Sequence, residues 1–313
     1  MHGGDHVRFE KYHGTGNDFV IVDGEAPVPD RPAFARTYCD RRDGISHVDS
    51  DDETTPTAAT DGGERRSGAD GVLFLGLVDE FRPPRVVTTL VKPDGTVAAT
   101  TGNGARCAAA WAAERTGQRE FMLDTPAGSR RARVDADGSA VSVEMGRPTF
   151  AGRDVPLADG RTEPLVEERV GDLAVTAVDA GTSHAVAFVD DVDEVDLASV
   201  APAVRNADVF SGTAVGGPAN VNVTVASRDG NGFRTRTHEF GVEDETRSCG
   251  TGAVAVVAAA RRLGLLADAT DVRIGQPGGD VRVSLPDDGP ATLRGPVVRE
   301  FAGHVAASPH RGS

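Results

Sequence analysis

Apolar residues in this chain alternate with polar ones over short stretches that glycine turns interrupt, the pattern of half-buried strands. VRFEKYHGTGNDFVIVDG (7–24) predicts strand, glycine turn, strand. GVLFLGL (71–77) predicts one strand, and PRVVTTLVKPDGTVAATT (84–101) two strands about the turn PDGT. EFMLDTPAG (120–128) and SRRARVDADGSAVSVEMG (129–146) add more. Two stretches break the alternation. Residues 103–116 and 250–263 carry alanine and valine on nearly every face, and each stops at a glycine, Gly117 and Gly264. They predict two helices enclosed on all sides. Residues 45–68 are acidic and rich in Ser, Thr and Gly, which predicts an exposed, disordered insertion.

The second half repeats the order of the first. LAVTAVDAGTSHAVAFVD (173–190) is again strand, glycine turn, strand, and ANVNVTVAS and FRTRTHEFG are strands. After the second helix come DVRIGQPGGDVRVSLP and ATLRGPVVREF. A shift of 148 residues lays Thr101 on Cys249, Gly102 on Gly250, Asn103 on Thr251 and Gly104 on Gly252. A shift of 167 lays Gly14 on Gly181, Thr15 on Thr182, Asn17 on His184 and Asp23 on Asp190. The chain therefore reads as a duplication. The expected fold class is α/β in the α+β sense, with two pseudo-symmetric domains, each a mostly antiparallel sheet around a central helix. The expected boundaries are 1–150 and 151–313, with the last strand free to return to the first domain.

Composition narrows the function. The formal net charge is −15, and of the 33 basic residues only Lys11 and Lys92 are lysines. Such a field disfavours nucleic acid and suits a surface bathed in concentrated salt, where screening removes self-repulsion. The start, MHGGDHVRFEKY, lacks the apolar run of a signal peptide, and no apolar stretch is long enough to span a membrane. Three cysteines, at 39, 107 and 249, form no CxxC pair. They suit neither a zinc site nor a disulfide framework, so the expectation is a cytoplasmic protein without a metal.

Each helix opens from a glycine-rich mouth: TTGNGARC at 100–107 and SCGTGA at 248–253. A helix start presents unpaired amide N–H groups and about half a positive charge, and glycines let a ligand approach them. Two such mouths facing one another would clamp a small anion. Cys249 at the second mouth is the candidate nucleophile or base, with a thiol expected to ionise readily there. Cys107, inside the first helix, reads as a small buried hydrophobe.

These pieces together resemble the PLP-independent diaminopimelate epimerases over nearly the whole chain. The residues that carry the likeness are YHGTGNDFVIVD, GADGVLFL, PDGT followed by GNGARC, the hairpin with His184, NVNV, and above all HEFGVEDETRSCGTGA. The resemblance implies two similar domains, each a curved sheet around a central helix. It implies two-base inversion at an α-carbon with no cofactor, neither PLP nor metal. The implied partner is a small amino-acid substrate, with a homodimer as the candidate assembly. It gives Cys249 and Thr101 the two base positions, and His184 and Glu239 the partners that tune the thiol. The substrate-binding positions it implies are Asn17, Gly102, Asn103, Asn220, Glu239, Phe240, Gly250 and Thr251.

Five positions depart from the family. Thr101 replaces the second cysteine, Thr182-Ser183 an Asn-Pro, Phe240 an arginine that pairs with the distal carboxylate, and Lys92 an asparagine. The α-amino-acid end of the site is kept and the distal end is rewritten. Diaminopimelate epimerisation in lysine biosynthesis leads. Its rivals are a one-base isomerase or dehydratase acting on another amino acid, such as a hydroxyproline, and a non-catalytic anion binder.

Overall fold

The computed structural model describes residues 6–46, 49, 66–99, 101–152, 154–158, 160–211, 221–267 and 269–309. Most of the expected insertion, and Asn220, lie outside these residues. The two ends of that stretch are anchored: Ile45 is buried in the core, and the Gly68 carbonyl accepts from the buried Lys11 ammonium.

The chain divides into two compact units, Met1–Val141 with Pro296–Ser313, and Ser142–Gly295. In chain order the first begins β1 (His6–Gly14), β2 (Asn17–Asp23), α1 (Arg31–Tyr38), β3 (Gly71–Val78), β4 (Arg85–Val91) and β5 (Val97–Ala98). It continues with α2 (Gly102–Thr116), β6 (Glu120–Thr125) and β7 (Gly128–Val134). Then come β8 (Val141–Gly146), β9 (Glu168–Val170), β10 (Leu173–Asp179), β11 (Ser183–Phe188), α3 (Leu197–Arg205), β12 (Val221–Asp229), β13 (Gly232–Glu239) and β14 (Asp244–Thr246). The chain closes with α4 (Gly250–Arg262), β15 (Val272–Gln276), β16 (Gly279–Ser284), β17 (Ala291–Gly295) and β18 (Val298–Ala306).

In the first unit β1 and β2 form an antiparallel hairpin, β2 runs parallel to β3, and β3 and β4 form the next hairpin. After α2, β6 returns parallel to β4 and makes a hairpin with β7. The second unit repeats each step. β10 and β11 are a hairpin, β11 lies parallel to β12, and β12 and β13 are a hairpin. After α4, β15 returns parallel to β13 and makes a hairpin with β16. The duplication read from residue shifts is thus a duplication of strand pairing. Strand β18 pairs with β1, within the first unit.

Each unit wraps its sheet about one helix. Helix α2 packs on β1, β2, β3, β4, β6 and β7, and α4 on β10, β11, β12, β16 and β17. Residues 250–260 of α4 are all buried. Alanine on every face is what this enclosure needs: strands on several sides leave room for methyl groups but not for longer side chains. Helix α2 ends at Gly117 in the left-handed region, φ 67°, where a side chain would strain. Helices α1 and α3 also correspond, each crossing between the parallel strands of its unit, β2 to β3 and β11 to β12, and the alternation does not mark either. No helix among the described residues is long and apolar enough to cross a membrane.

Candidate active site

The second-unit mouth is built by sheet register. β11 and β12 run parallel with His184 opposite Asn222, and β12 and β13 set Thr224 opposite Thr237. Side chains two apart along a strand share a face, so Asn222 and Thr224 both reach His184. His184 Nδ1 lies 3.0 Å from the Thr224 hydroxyl, which lies 3.1 Å from that of Thr237. His184 Nε2 lies 3.0 Å from Thr251 Oγ1 and 3.1 Å from Thr182 Oγ1. The ring is wholly buried and touches no charged partner, and burial pushes its pKa down to about 3. It is therefore a neutral imidazole.

Cys249 is the N-cap of α4, but its side chain makes no capping bond. The thiol donates to Glu239 Oε1 at 3.6 Å and lies 3.4 Å from Thr251 Oγ1. The mouth was expected to lower the thiol pKa. Instead burial, reinforced by the Glu239 carboxylate, pushes it up, against smaller lowering contributions from the Thr251 hydroxyl and the Gly252 amide. The reason is that desolvation of a fully enclosed sulfur outweighs the partial charge of the helix end. In the ligand-free protein Cys249 is a protonated thiol hydrogen-bonded to a carboxylate.

The sequence reading missed two residues. Asn222 accepts the Phe240 backbone N–H on its Oδ1 at 2.8 Å and turns its Nδ2 to Thr182, 3.3 Å away. The alternation NVNV, with asparagine at every second position, could have pointed to it. Gln276, at the end of β15, clamps the mouth. Its Oε1 accepts from the Cys249 backbone N–H at 3.1 Å and from Ser248 Oγ at 2.5 Å, and its Nε2 donates to the Cys249 carbonyl at 2.9 Å. Nothing local in the sequence marks it. His184 itself reaches the sulfur only through Thr251.

The first-unit mouth is built differently. Thr101 is also an N-cap, and here the side chain caps: Oγ1 accepts the Gly104 N–H at 3.2 Å. Gly104 is needed beneath it, because a Cβ there would meet the Thr101 methyl at 2.4 Å. Asn103 Nδ2 donates to Asn17 Oδ1 at 3.1 Å, and Asn17 Nδ2 donates to Asp70 Oδ2 at 2.6 Å. Arg106, fully buried, donates to Asn103 Oδ1 at 2.9 Å and to Thr15 Oγ1 at 3.1 Å. Asp70 belongs to a charged cluster with Arg41, Asp18 and Lys11. Both amides are thereby held in one orientation from outside the mouth. Gly102 and Gly250 each open their helix, and both are buried.

The distal positions are divided between the two units. Lys92 stands 3.6 Å from Asp94 at a turn of the first unit. Thr182 is part of the His184 network. Phe240 projects its ring partly into solvent, 5.1 Å from the Arg205 guanidinium. Among the described residues no group of three or more His, Cys, Asp or Glu side chains is placed to hold a metal ion.

A family model of diaminopimelate epimerase matches residues 9–151 and 176–300. The chain belongs to the diaminopimelate epimerase family. It is 36% identical to the diaminopimelate epimerase of Methanocella arvoryzae, the match covering 96% of each chain. It is equally 36% identical, over 94% of each chain, to the O-ureido-serine racemase of Streptomyces lavendulae. Among solved structures, a hydroxyproline epimerase from Agrobacterium vitis shares the fold with TM-score 0.63 at 17% identity, covering 98% of this chain and 94% of that one. The family member described here is an isomerase, as its epimerase and racemase relatives are.

Proposed function

We propose that this protein inverts an α-carbon of diaminopimelate, between the LL and meso forms, as a cofactor-independent step of lysine biosynthesis in the cytoplasm. The observation that carries the reading is the Cys249 thiol, free of any capping duty, donating to the Glu239 carboxylate at the mouth of α4. When a substrate α-carbon arrives, Glu239 receives the thiol proton and the sulfur takes the α-proton. Negative charge then develops on the substrate α-carboxylate. The N–H groups of Gly250 and Thr251 lie at a helix start and stabilise such charge without reorganising. Gly102 and Asn103 offer the same kind of mouth, and Asn17, Asn220 and Phe240 complete the substrate-binding set. Thr101 holds the other base position. Its hydroxyl already caps α2 and is a far weaker acid than a thiol, so inversion is slow relative to proton exchange.

A second reading rests on Phe240 and Thr182: an amino acid other than diaminopimelate, racemised by the same thiol. Proton NMR in D₂O, with LL- and meso-diaminopimelate offered separately, tests both. Deuterium entering the α-position of one stereoisomer at least tenfold faster than inversion is the expected result. No exchange with either diaminopimelate, beside exchange with a neutral amino acid, would transfer the function to the second reading.

A further inference from the structure

The inference rests on Cys249 as the base proposed above, whichever amino acid supplies the α-proton, and concerns what aims the sulfur. An N-cap residue is normally fixed by its own side chain, which accepts from a helix N–H. Thr101 is held in this way by Gly104. Cys249 makes no such bond, and its sulfur turns to Glu239 and Thr251. We propose that Gln276 is the positioning residue of the thiol: its side-chain amide grips the Cys249 backbone, so that the sulfur can meet the α-carbon without having to hold the helix end.

The duplication supplies the comparison. A shift of 151 residues lays the turn TPAG (125–128) on the turn QPGG (276–279). Each joins the two strands that follow its central helix, with Thr125 opposite Gly128 in one unit and Gln276 opposite Gly279 in the other. Each turn also grips the chain just before the N-cap by a backbone bond. Ala127 N–H donates to the Ala99 carbonyl at 3.2 Å, and Gly278 N–H to the Arg247 carbonyl at 2.7 Å. The shift of 148 that aligns the helix mouths lays Ala99 on Arg247, so this bond is common to both halves.

The first residue of the turn is where the halves part. Thr125 spends its hydroxyl inside its own turn, donating to the Gly128 carbonyl at 2.8 Å and accepting from Ala127 N–H at 3.2 Å. Gln276 is longer and crosses to the mouth. Its Oε1 accepts the Cys249 N–H at 3.1 Å, and its Nε2 donates to the Cys249 carbonyl at 2.9 Å. One planar amide thus satisfies both backbone groups of a single residue, as a neighbouring strand would. Only one orientation of the amide does so, and Ser248 Oγ joins its oxygen end at 2.5 Å. With the Cys249 backbone held at φ −125° and ψ 108°, the sulfur is left with rotation about the Cα–Cβ bond, which Glu239 and Thr251 set. The self-capping threonine sits at the mouth whose turn keeps to itself; the thiol sits at the mouth whose turn reaches out.

The test compares Gln276→Met, Gln276→Glu and Thr125→Val with the wild type, following α-proton exchange in D₂O and thermal unfolding on the same preparations. Gln276→Met keeps the length of the side chain and removes its hydrogen bonds. It should lower kcat about 10- to 100-fold, the scale of a misplacement of about 1 Å, with KM moved less than about threefold. Gln276→Glu keeps the accepting oxygen and loses the donor to the Cys249 carbonyl. It should lower kcat as well, and it carries the test should the methionine variant fold poorly. Thr125→Val removes the hydroxyl from the matching turn and should leave kcat within about twofold of wild type, whatever it does to Tm. A kcat within about twofold of wild type in the folded Gln276 variants overturns the inference while leaving proton transfer by Cys249 standing. An equal fall of kcat in Thr125→Val, or a KM raised as much as kcat falls, also overturns it, because Gln276 is then a support of the fold or of the substrate clamp. A wild type that exchanges the α-proton of neither diaminopimelate nor a neutral amino acid removes the reading of Cys249 as the base, and the inference falls with it.

Discussion

The Thr251 hydroxyl lies 3.0 Å from His184 Nε2 and 3.4 Å from the Cys249 sulfur, so one hydroxyl stands between the histidine and the thiol. The same oxygen accepts from Thr182 at 2.8 Å. A neutral, buried imidazole cannot stabilise a thiolate by charge; it can fix which way an intervening O–H points. That makes Thr251 the bridge between the His184 network and the sulfur.

Thr251→Val keeps the shape and removes the oxygen. It takes a partner from the buried His184 Nε2, worth about 1–3 kcal/mol of stability. Loss of one hydrogen bond to the developing thiolate should slow α-proton exchange about 10- to 100-fold. Thr251→Ser should recover most of the rate. Exchange in the valine variant within twofold of wild type would show that the hydroxyl does not act on the sulfur.

Thr101→Cys separates two roles of one side chain. The hydroxyl caps α2, and losing that cap costs about 1 kcal/mol, near 2 °C in Tm for a chain of this size. The new thiol is a better proton carrier, so inversion should rise more than exchange does. Thermal unfolding and D₂O NMR on the same preparation check the opposed effects. A variant that is less stable and no faster would leave Thr101 a cap alone.

The pH dependence of stability has two limbs. His184 binds a proton near pH 6.5 when unfolded and only near 3 when folded. Its contribution is present above 6.5 and is lost as pH falls toward 3, at about 1.4 kcal/mol per unit. Cys39 and Cys107 move the other way, from 9.0 up to about 12, because both are buried. Their contribution is present below 9 and is lost as pH rises toward 12. Urea midpoints should therefore be highest between about pH 7 and 8.5. His184→Gln should flatten the acid limb and Cys107→Ala should soften the alkaline one. An acid limb unchanged in His184→Gln would mean that other groups carry it.

Local pattern determined a good deal of this protein. The period of two along VRFEKYHG and NDFVIVD specifies strands, because successive side chains leave a pleated backbone on opposite faces. The alanine and valine on nearly every face of 103–116 and 250–263 specify enclosed helices, and the glycines that follow specify where they stop. The doubled order of these elements announced the doubled fold, and a cysteine and a threonine ahead of GTG and GNG announced two helix mouths. None of this needs contacts distant in sequence. Tertiary structure decided the rest. Gln276 holds the Cys249 backbone across 27 residues of chain, a distance no periodicity spans. Asn222 meets His184 only because β11 and β12 pair parallel in one register, and a slip by one residue would turn it to the other face. The helix dipole, visible in sequence, argued for an acidic thiol; the enclosing sheet removed the water that would have stabilised its charge, and the thiol stays protonated. Helix α3, which the alternation did not mark, brings Arg205 to the Phe240 ring. Backbone geometry is a local property that a short window of residues carries, whereas desolvation and register depend on which distant strands close over it.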